Sequence, residues 1–125
     1  MINFKKETIG KINGREIDEF FLYYDVDVYL DDESSSIKPE IYSGKGEIDW
    51  NILAEKFCLK ELHPHMYGDD IFKYDDGYGQ QYFFGWITFK GTNQWIQRKE
   101  YDGNEWWEDC KKPSLADMEI EDEGN

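Results

Sequence analysis

Hydrophobic and polar residues alternate most regularly between Phe20 and Leu30. The even positions are all apolar or aromatic, while the odd positions place Asp25, Asp27 and Tyr29 on the opposite face. Alternation with a period of two is typical of a β-strand that packs one face on the core. The pattern therefore predicts a strand with an apolar buried face and a second face that carries tyrosine and aspartate.

Weaker patterns predict the elements on either side of this strand. A first strand is expected from Phe4 to Ile12, because the Asn13-Gly14 pair that follows favours the positive backbone angles of a two-residue hairpin. A helix is expected from Trp50 to Leu59, where apolar residues recur at helical spacing behind Asp49, a good N-cap. The pattern predicts no other substantial helix.

The second half of the chain predicts more strands. The segment from Gln81 to Phe89 is apolar on both faces, as in a central strand with one face under a helix, and Gly85 marks a bulge or a close approach. If Gly103-Asn104 is the loop of a hairpin, Tyr101 faces Trp106 across it. The other expected strands are Pro39–Ser43, Ile71–Tyr74, Gln94–Tyr101 and Glu105–Asp109.

These elements predict the α+β class, with a mainly antiparallel β-sheet of five to seven strands and one α-helix packed on one face. Residues 1–112 are expected to form a single domain, followed by an acidic, flexible C-terminal tail at 113–125. Aromatic residues should dominate the core, because the chain has 8 Phe, 9 Tyr and 5 Trp but little Leu or Val. The expected core aromatics are Phe20, Tyr24, Phe83, Phe84, Trp86 and Phe89. In the Trp106-Trp107 pair, one indole should lie on each face of its strand.

The charge narrows the classes of partner. The 125 residues include 28 acids and 14 bases, which gives a net charge of −14, and the last thirteen residues hold five acids and no base. Such acidity argues against direct binding to nucleic acid or to an anionic membrane. No apolar run approaches the roughly 20 residues that span a bilayer. Two cysteines fit a reducing cytoplasm better than a disulfide-stapled secreted fold.

No motif for catalysis or metal binding emerges. Asp25 and Asp27 share a strand face, but a calcium site needs about six oxygens in a closed cluster. His63-Pro64-His65 fits no common zinc spacing and is interpreted as a pair of surface-loop histidines, whose role stays open. Neither Cys58 nor Cys110 has the surroundings of an activated thiol. The sequence therefore predicts a protein that is not an enzyme and has no catalytic residue, metal or cofactor.

The acidic strand and the loop after it predict a surface that binds another protein. Tyrosine is a favoured interface anchor, and spaced carboxylates suit the basic channel of a nuclease or another nucleic-acid enzyme. In composition the chain resembles phage-encoded inhibitors of bacterial defence, which would act in the host cytoplasm, and also toxin-neutralising immunity proteins. An accessory phage protein that is acidic for solubility and a carboxylate-dependent enzyme are the remaining alternatives. The predicted partner-binding residues are Tyr23, Asp25, Asp27, Tyr29, Asp31, Asp32 and Glu33.

Overall fold

A computed structural model of the chain describes residues 2–25, 28–29, 36–37, 40–74, 81–102 and 104–111, with the backbone alone at 28–29 and 36–37. The helices within these residues are α1 (Phe4–Ile12), α2 (Trp50–Lys56), α3 (Leu59–Leu62) and a 3-10 helix at Gly68–Phe72. The strands are β1 (Ile2–Asn3), β2 (Ile17–Tyr24), β3 (Val28–Tyr29), β4 (Ser36–Ile37), β5 (Tyr42–Lys45), β6 (Lys73–Tyr74), β7 (Phe83–Phe89), β8 (Gln94–Tyr101) and β9 (Asn104–Lys111). The predicted tail at 113–125 lies outside the described residues.

The main sheet has five strands in the order β5-β2-β7-β8-β9, and every neighbouring pair is antiparallel. Two-stranded pairs, β1 with β6 and β3 with β4, accompany it. The predicted α+β class with a mainly antiparallel sheet is confirmed. The prediction of β7 as a central strand is also confirmed, and β8 has the predicted bounds.

The alternating strand has the predicted facing throughout β2. Leu22 and Tyr24 are buried, Tyr23 is partly exposed, and Asp25 is exposed just after β2 ends. Residues 26–27 and 30 lie outside the described part of the chain. Beyond residue 27 the backbone of Val28–Tyr29 pairs with Ser36–Ile37. The regular strand is therefore shorter than the alternation predicts, because β2 ends at Tyr24.

The segment Phe4–Ile12, predicted as a strand, is instead the helix α1. The side chain of Asn3 accepts a hydrogen bond from the backbone N–H of Lys6 and caps the first turn. Phe4 and Thr8 form the buried stripe. Asn13 adopts the left-handed conformation with φ of 50° and ends the helix, so the Asn-Gly pair is a C-cap and not a hairpin turn.

The predicted second helix is interrupted near its end. Asp49 caps α2 as expected, since its carboxylate accepts hydrogen bonds from the backbone N–H groups of Asn51 and Ile52. The helix stops at Lys56, because Cys58 is left-handed with φ of 56° and α3 begins afresh at Leu59. Because α1 (Phe4–Ile12) is at least as long as α2, the expectation of a single substantial helix is wrong.

The helices cover one face of the sheet, where the core lies. Phe4 of α1 stacks on Phe83 of β7 at a centroid distance of 3.8 Å. Phe57, just after α2, meets Tyr24 edge to face at 5.7 Å. We call this side of the sheet the helical face. Its buried residues include the predicted Phe20, Tyr24, Phe83 and Phe89.

The hairpin of β8 and β9 has a different register from the predicted one. Tyr101 pairs with Asn104, and Lys99 faces Trp106, so the loop consists of residues 102 and 103. Asp102, with φ of 53°, supplies one of the positive backbone angles that a two-residue loop needs. The predicted pairing of Tyr101 with Trp106 is therefore wrong, because the loop begins one residue earlier than expected.

Candidate functional site

Two of the predicted partner-binding residues lie together at the end of β2. The hydroxyl of Tyr23 is 3.4 Å from Oδ1 of Asp25, and the backbone N–H of Asp25 donates to the carbonyl oxygen of Tyr82 at 3.0 Å. This backbone bond holds Asp25 beside the start of β7. The two side chains thus occur on the same side of the sheet, which is opposite to the helices.

The other predicted residues of this site have no described side chain. Tyr29 is placed only through its backbone, which pairs with Ser36. The carboxylates of the predicted site beyond Asp25 lie outside the described residues: Asp27, Asp31, Asp32 and Glu33. Their role in partner binding stays a prediction.

The side of the sheet opposite to the helices carries a set of aromatic side chains. We call it the aromatic face, and its members are Phe21, Tyr23, Phe84, Trp86, Trp95 and Trp106. Each is partly exposed, and Trp106 is 37% exposed. The hydrophobic contacts of the described helices are with the helical face, so they leave these rings to the opposite surface.

Strand register sets the neighbours within the aromatic face. Phe21 of β2 lies opposite Trp86 of β7, with ring centroids 6.2 Å apart and ring planes 18° apart. Tyr23 lies opposite Phe84 at 5.9 Å. The rings therefore form two adjacent cross-strand pairs, the arrangement in which aromatic side chains stabilise a sheet.

The outer strands add charged and polar groups to the same face. Glu108 of β9 lies opposite Gln97 of β8, while Lys99 lies opposite Trp106. At the other edge, Nζ of Lys45 is 3.8 Å from Oε1 of Glu19. The aromatic face thus has rings on its central strands and, towards its edges, charges of both signs, with Trp106 among them on β9.

Sequence reasoning missed most of this face. Phe84 and Trp86 were expected in the core, but both lie on the aromatic face and are partly exposed. The prediction that Trp106 and Trp107 face opposite ways is confirmed, since Trp107 is only 4% exposed. Period-two alternation could have placed Phe84 and Trp86 on one face, but only the tertiary packing decides which face the helices cover.

Buried charges lie on the helical face. The guanidinium of Arg98 donates to Oε1 of Glu7 at 3.0 Å, to the hydroxyl of Tyr74 at 3.1 Å and to Oε2 of Glu105. Glu105 also accepts from the backbone N–H groups of Tyr82 at 2.6 Å and Phe83 at 3.1 Å. We call this group the Arg98 cluster. It joins α1, β6, β7, β8 and β9.

The environment of the Arg98 cluster fixes the protonation of Arg98 and Tyr74. Burial works against the charged guanidinium, but Glu7, Tyr74 and Glu105 outweigh it and raise the pKa of Arg98. Burial also raises the pKa of Tyr74, with Arg98 opposing it. The arginine therefore stays charged and Tyr74 stays neutral near pH 7. The side chains of Arg98 and Glu105 are both fully buried, so the cluster stabilises the fold from within the core.

The histidine and cysteine side chains occupy separate positions. His65 is exposed and His63 is partly buried beside a cavity between the helices. Both cysteines are free thiols, and burial raises the pKa of Cys58, with Glu61 and Glu40 adding to the effect. Across the described residues, no group of three or more His, Cys, Asp or Glu side chains is placed to hold a metal ion.

None of the helices in the described part of the chain combines the length and the apolar character needed to cross a membrane. Comparisons with protein-family models, with curated proteins and with solved structures gave no match.

Proposed function

We propose that this chain is a small acidic binding protein that inhibits a partner by covering the partner's basic, nucleic-acid-binding surface. It would act in the cytoplasm of a bacterial host, as a phage-encoded inhibitor of defence does. The observation that supports the proposal is the aromatic face, which ends at the exposed carboxylate of Asp25 in a chain with a net charge of −14.

The chemistry of the aromatic face suits a surface rich in arginine. Tryptophan and tyrosine bring large contact area at a low cost in conformational entropy, and they are frequent hot spots of binding. A guanidinium group stacks on such rings and pairs with carboxylates in the same contact. Trp106 lies on the same strand face as Glu108, so both kinds of partner group are available there.

The distribution of charge favours a basic partner. Most bases of the described residues already pair with acids: Lys5, Lys11, Arg15, Lys45, Lys56, Lys73, Lys90 and Arg98. The acidic excess of the chain therefore dominates its long-range field. A field of one sign speeds the encounter with a surface of the opposite sign and discourages like-charged partners.

The test compares two exposed aromatic residues on the hairpin of β8 and β9. Proteins are captured from a lysate of the host cell with the wild-type protein, with Trp106→Ser and with the control Tyr101→Ser. The captured proteins are identified by mass spectrometry. Tyr101 is 76% exposed at the hairpin end, so its loss removes a similar ring that lies away from the centre of the face. Surface plasmon resonance with the purified partner then gives the affinities.

The expected partner has a basic surface, and Trp106→Ser weakens its binding by about thirtyfold, the effect of losing a hot spot of about 2 kcal/mol. Tyr101→Ser should leave the affinity nearly unchanged. Nucleic acid should compete with this protein for the partner. Binding that is equally strong in both variants and that tolerates saturating nucleic acid would refute the proposal. An upstream toxin gene whose product is the partner would instead identify an immunity protein.

A further inference from the structure

A cavity of about 690 Å³ opens on the helical face, between α2, α3 and the 3-10 helix. This volume is in the range of small-ligand sites. Its apolar floor includes Trp50, Ala54 and Phe72, of which Ala54 and Phe72 are buried. Charged side chains surround the floor, so the cavity can receive an apolar group and a polar end together.

One positively charged group of the protein, the ammonium of Lys5, already lines the cavity. Nζ of Lys5 lies 3.0 Å from Oδ1 of Asp69 and 5.7 Å from the ring centroid of Phe72. A carboxylate and an aromatic ring thus hold an ammonium group at one end of the cavity. Since Lys5 and Asp69 neutralise each other, neither is available to select the charge of a ligand.

The other walls offer the same two kinds of group, an aromatic ring and carboxylates. Trp50 supplies an indole that is partly exposed, and the carboxylates of Glu55 and Glu61 line the cavity on α2 and α3. In the described part of the chain, neither carboxylate forms an ion pair. Lys60 is the remaining charged residue of the walls, so the carboxylates outnumber the available base.

His63 adds a further acceptor to the cavity. Its ring lines the wall, and its buried Nε2 has no hydrogen-bond partner among the described residues. Burial lowers the pKa of His63, so the ring is neutral near pH 7. A neutral imidazole nitrogen can accept a hydrogen bond, whereas a buried polar atom left without one costs about 1–3 kcal/mol.

We propose that this cavity binds an organic cation with an apolar stem, which stacks on Trp50 and pairs with Glu55 and Glu61. This chemistry is shared by an arginine or lysine side chain of a partner protein and by a free aliphatic amine. The proposal does not rest on the function proposed above, because the cavity and the aromatic face lie on opposite sides of the sheet.

The test is a titration of the ¹⁵N-labelled protein followed by NMR at the tryptophan indole signals. Trp50 lines the cavity, whereas Trp86, Trp95 and Trp106 belong to the aromatic face. The probes are agmatine and the capped peptide Gly-Arg-Gly, and the neutral control is the same peptide with citrulline in place of arginine. Both cationic probes should shift the Trp50 signal saturably, and the citrulline peptide should bind at least about tenfold more weakly.

Matched variants separate a local effect from the general charge of the protein. Glu55→Gln combined with Glu61→Gln should weaken binding of the cationic probes about tenfold. Glu47→Gln, at an exposed carboxylate outside this cavity, should change it less than about twofold. Tighter binding of the peptide than of agmatine would assign the cavity to a partner's side chain, and the reverse order would assign it to a free amine.

Several outcomes would overturn the proposal. They are the absence of a saturable shift at Trp50, equal affinity for the citrulline peptide, or equal weakening by Glu47→Gln and by the double variant. Shifts confined to Trp86, Trp95 and Trp106 would also overturn it while leaving the proposed function of the aromatic face intact.

Discussion

Gly85 shows how one residue can control the packing of the central strands. Its φ is 131°, and a Cβ atom at this position would lie 1.9 Å from the carbonyl oxygen of Phe21 on β2. The strand pattern predicted a bulge or a close approach here, and the close approach is confirmed. Only a residue without a side chain fits, because the atom in the way belongs to the backbone of the neighbouring strand.

Gly85→Ala should therefore lower the free energy of unfolding by about 3 kcal/mol or more, through backbone strain and overpacking. Gly10→Ala is the control, since Gly10 lies inside α1 and a methyl group added there would meet no atom within 4 Å apart from the backbone of α1 itself. That change should stabilise the protein by about 0.5–1 kcal/mol, because alanine favours the helix. Urea denaturation measures both. Equal stability of Gly85→Ala and wild type would contradict the close approach.

Among the elements, α1 and β9 depend on the Arg98 cluster. Glu105 accepts hydrogen bonds from two backbone N–H groups of the β7 segment and from Arg98, and its side chain is fully buried. Arg98 also reaches Glu7 on α1, while Nε1 of Trp107 donates to Oγ1 of Thr8 at 2.8 Å. These polar contacts fix α1 against the sheet where apolar packing alone would allow it to slide.

Glu105→Gln should lower the free energy of unfolding by about 3 kcal/mol, because an amide places a donor against groups that all donate and leaves Arg98 undercompensated. The matched control is Glu108→Gln on the same strand, where the side chain is exposed and the loss should stay within about 0.5 kcal/mol. Guanidinium denaturation followed by fluorescence compares the two variants. A cost of Glu105→Gln as small as that of Glu108→Gln would show that the cluster is not important for stability.

The elements also show what the sequence could and could not predict. Alternation identified β2, a segment apolar on both faces identified β7, and Asp49 identified the start of α2, because these signals are local. Phe4–Ile12 was misjudged because the buried stripe includes Thr8, a polar residue whose partner, Trp107, is distant in the chain. Asn13-Gly14 fits a helix end as well as a hairpin, since both require positive φ.

The candidate site was predictable only in part for a similar reason. Tyr23 and Asp25 follow from alternation along one strand. Trp86 and Trp95 belong to the site because the helices in the described part of the chain cover the other face of the sheet, which is a property of the tertiary packing. At this scale the sheet separates two surfaces of different chemistry, the aromatic face and the cavity of the helical face.

The charge of the whole molecule should act on a partner differently from the rings of the aromatic face. The tail holds five acids: Asp117, Glu119, Glu121, Asp122 and Glu123. Replacing all five by their amides would change the net charge of the chain from −14 to −9. With a basic partner this change should slow association, most strongly at low salt, because charges are screened over about 8–10 Å at physiological ionic strength. The rate of dissociation should stay nearly constant, since a long-range field contributes little once short-range contacts have formed. Trp106→Ser should do the opposite, raising the dissociation rate with little effect on association.

Surface plasmon resonance across a salt series separates the two effects. A faster dissociation of the tail variant would show direct contact between the tail and the partner, whereas unchanged association at every salt concentration would leave solubility as the explanation of the tail's acidity.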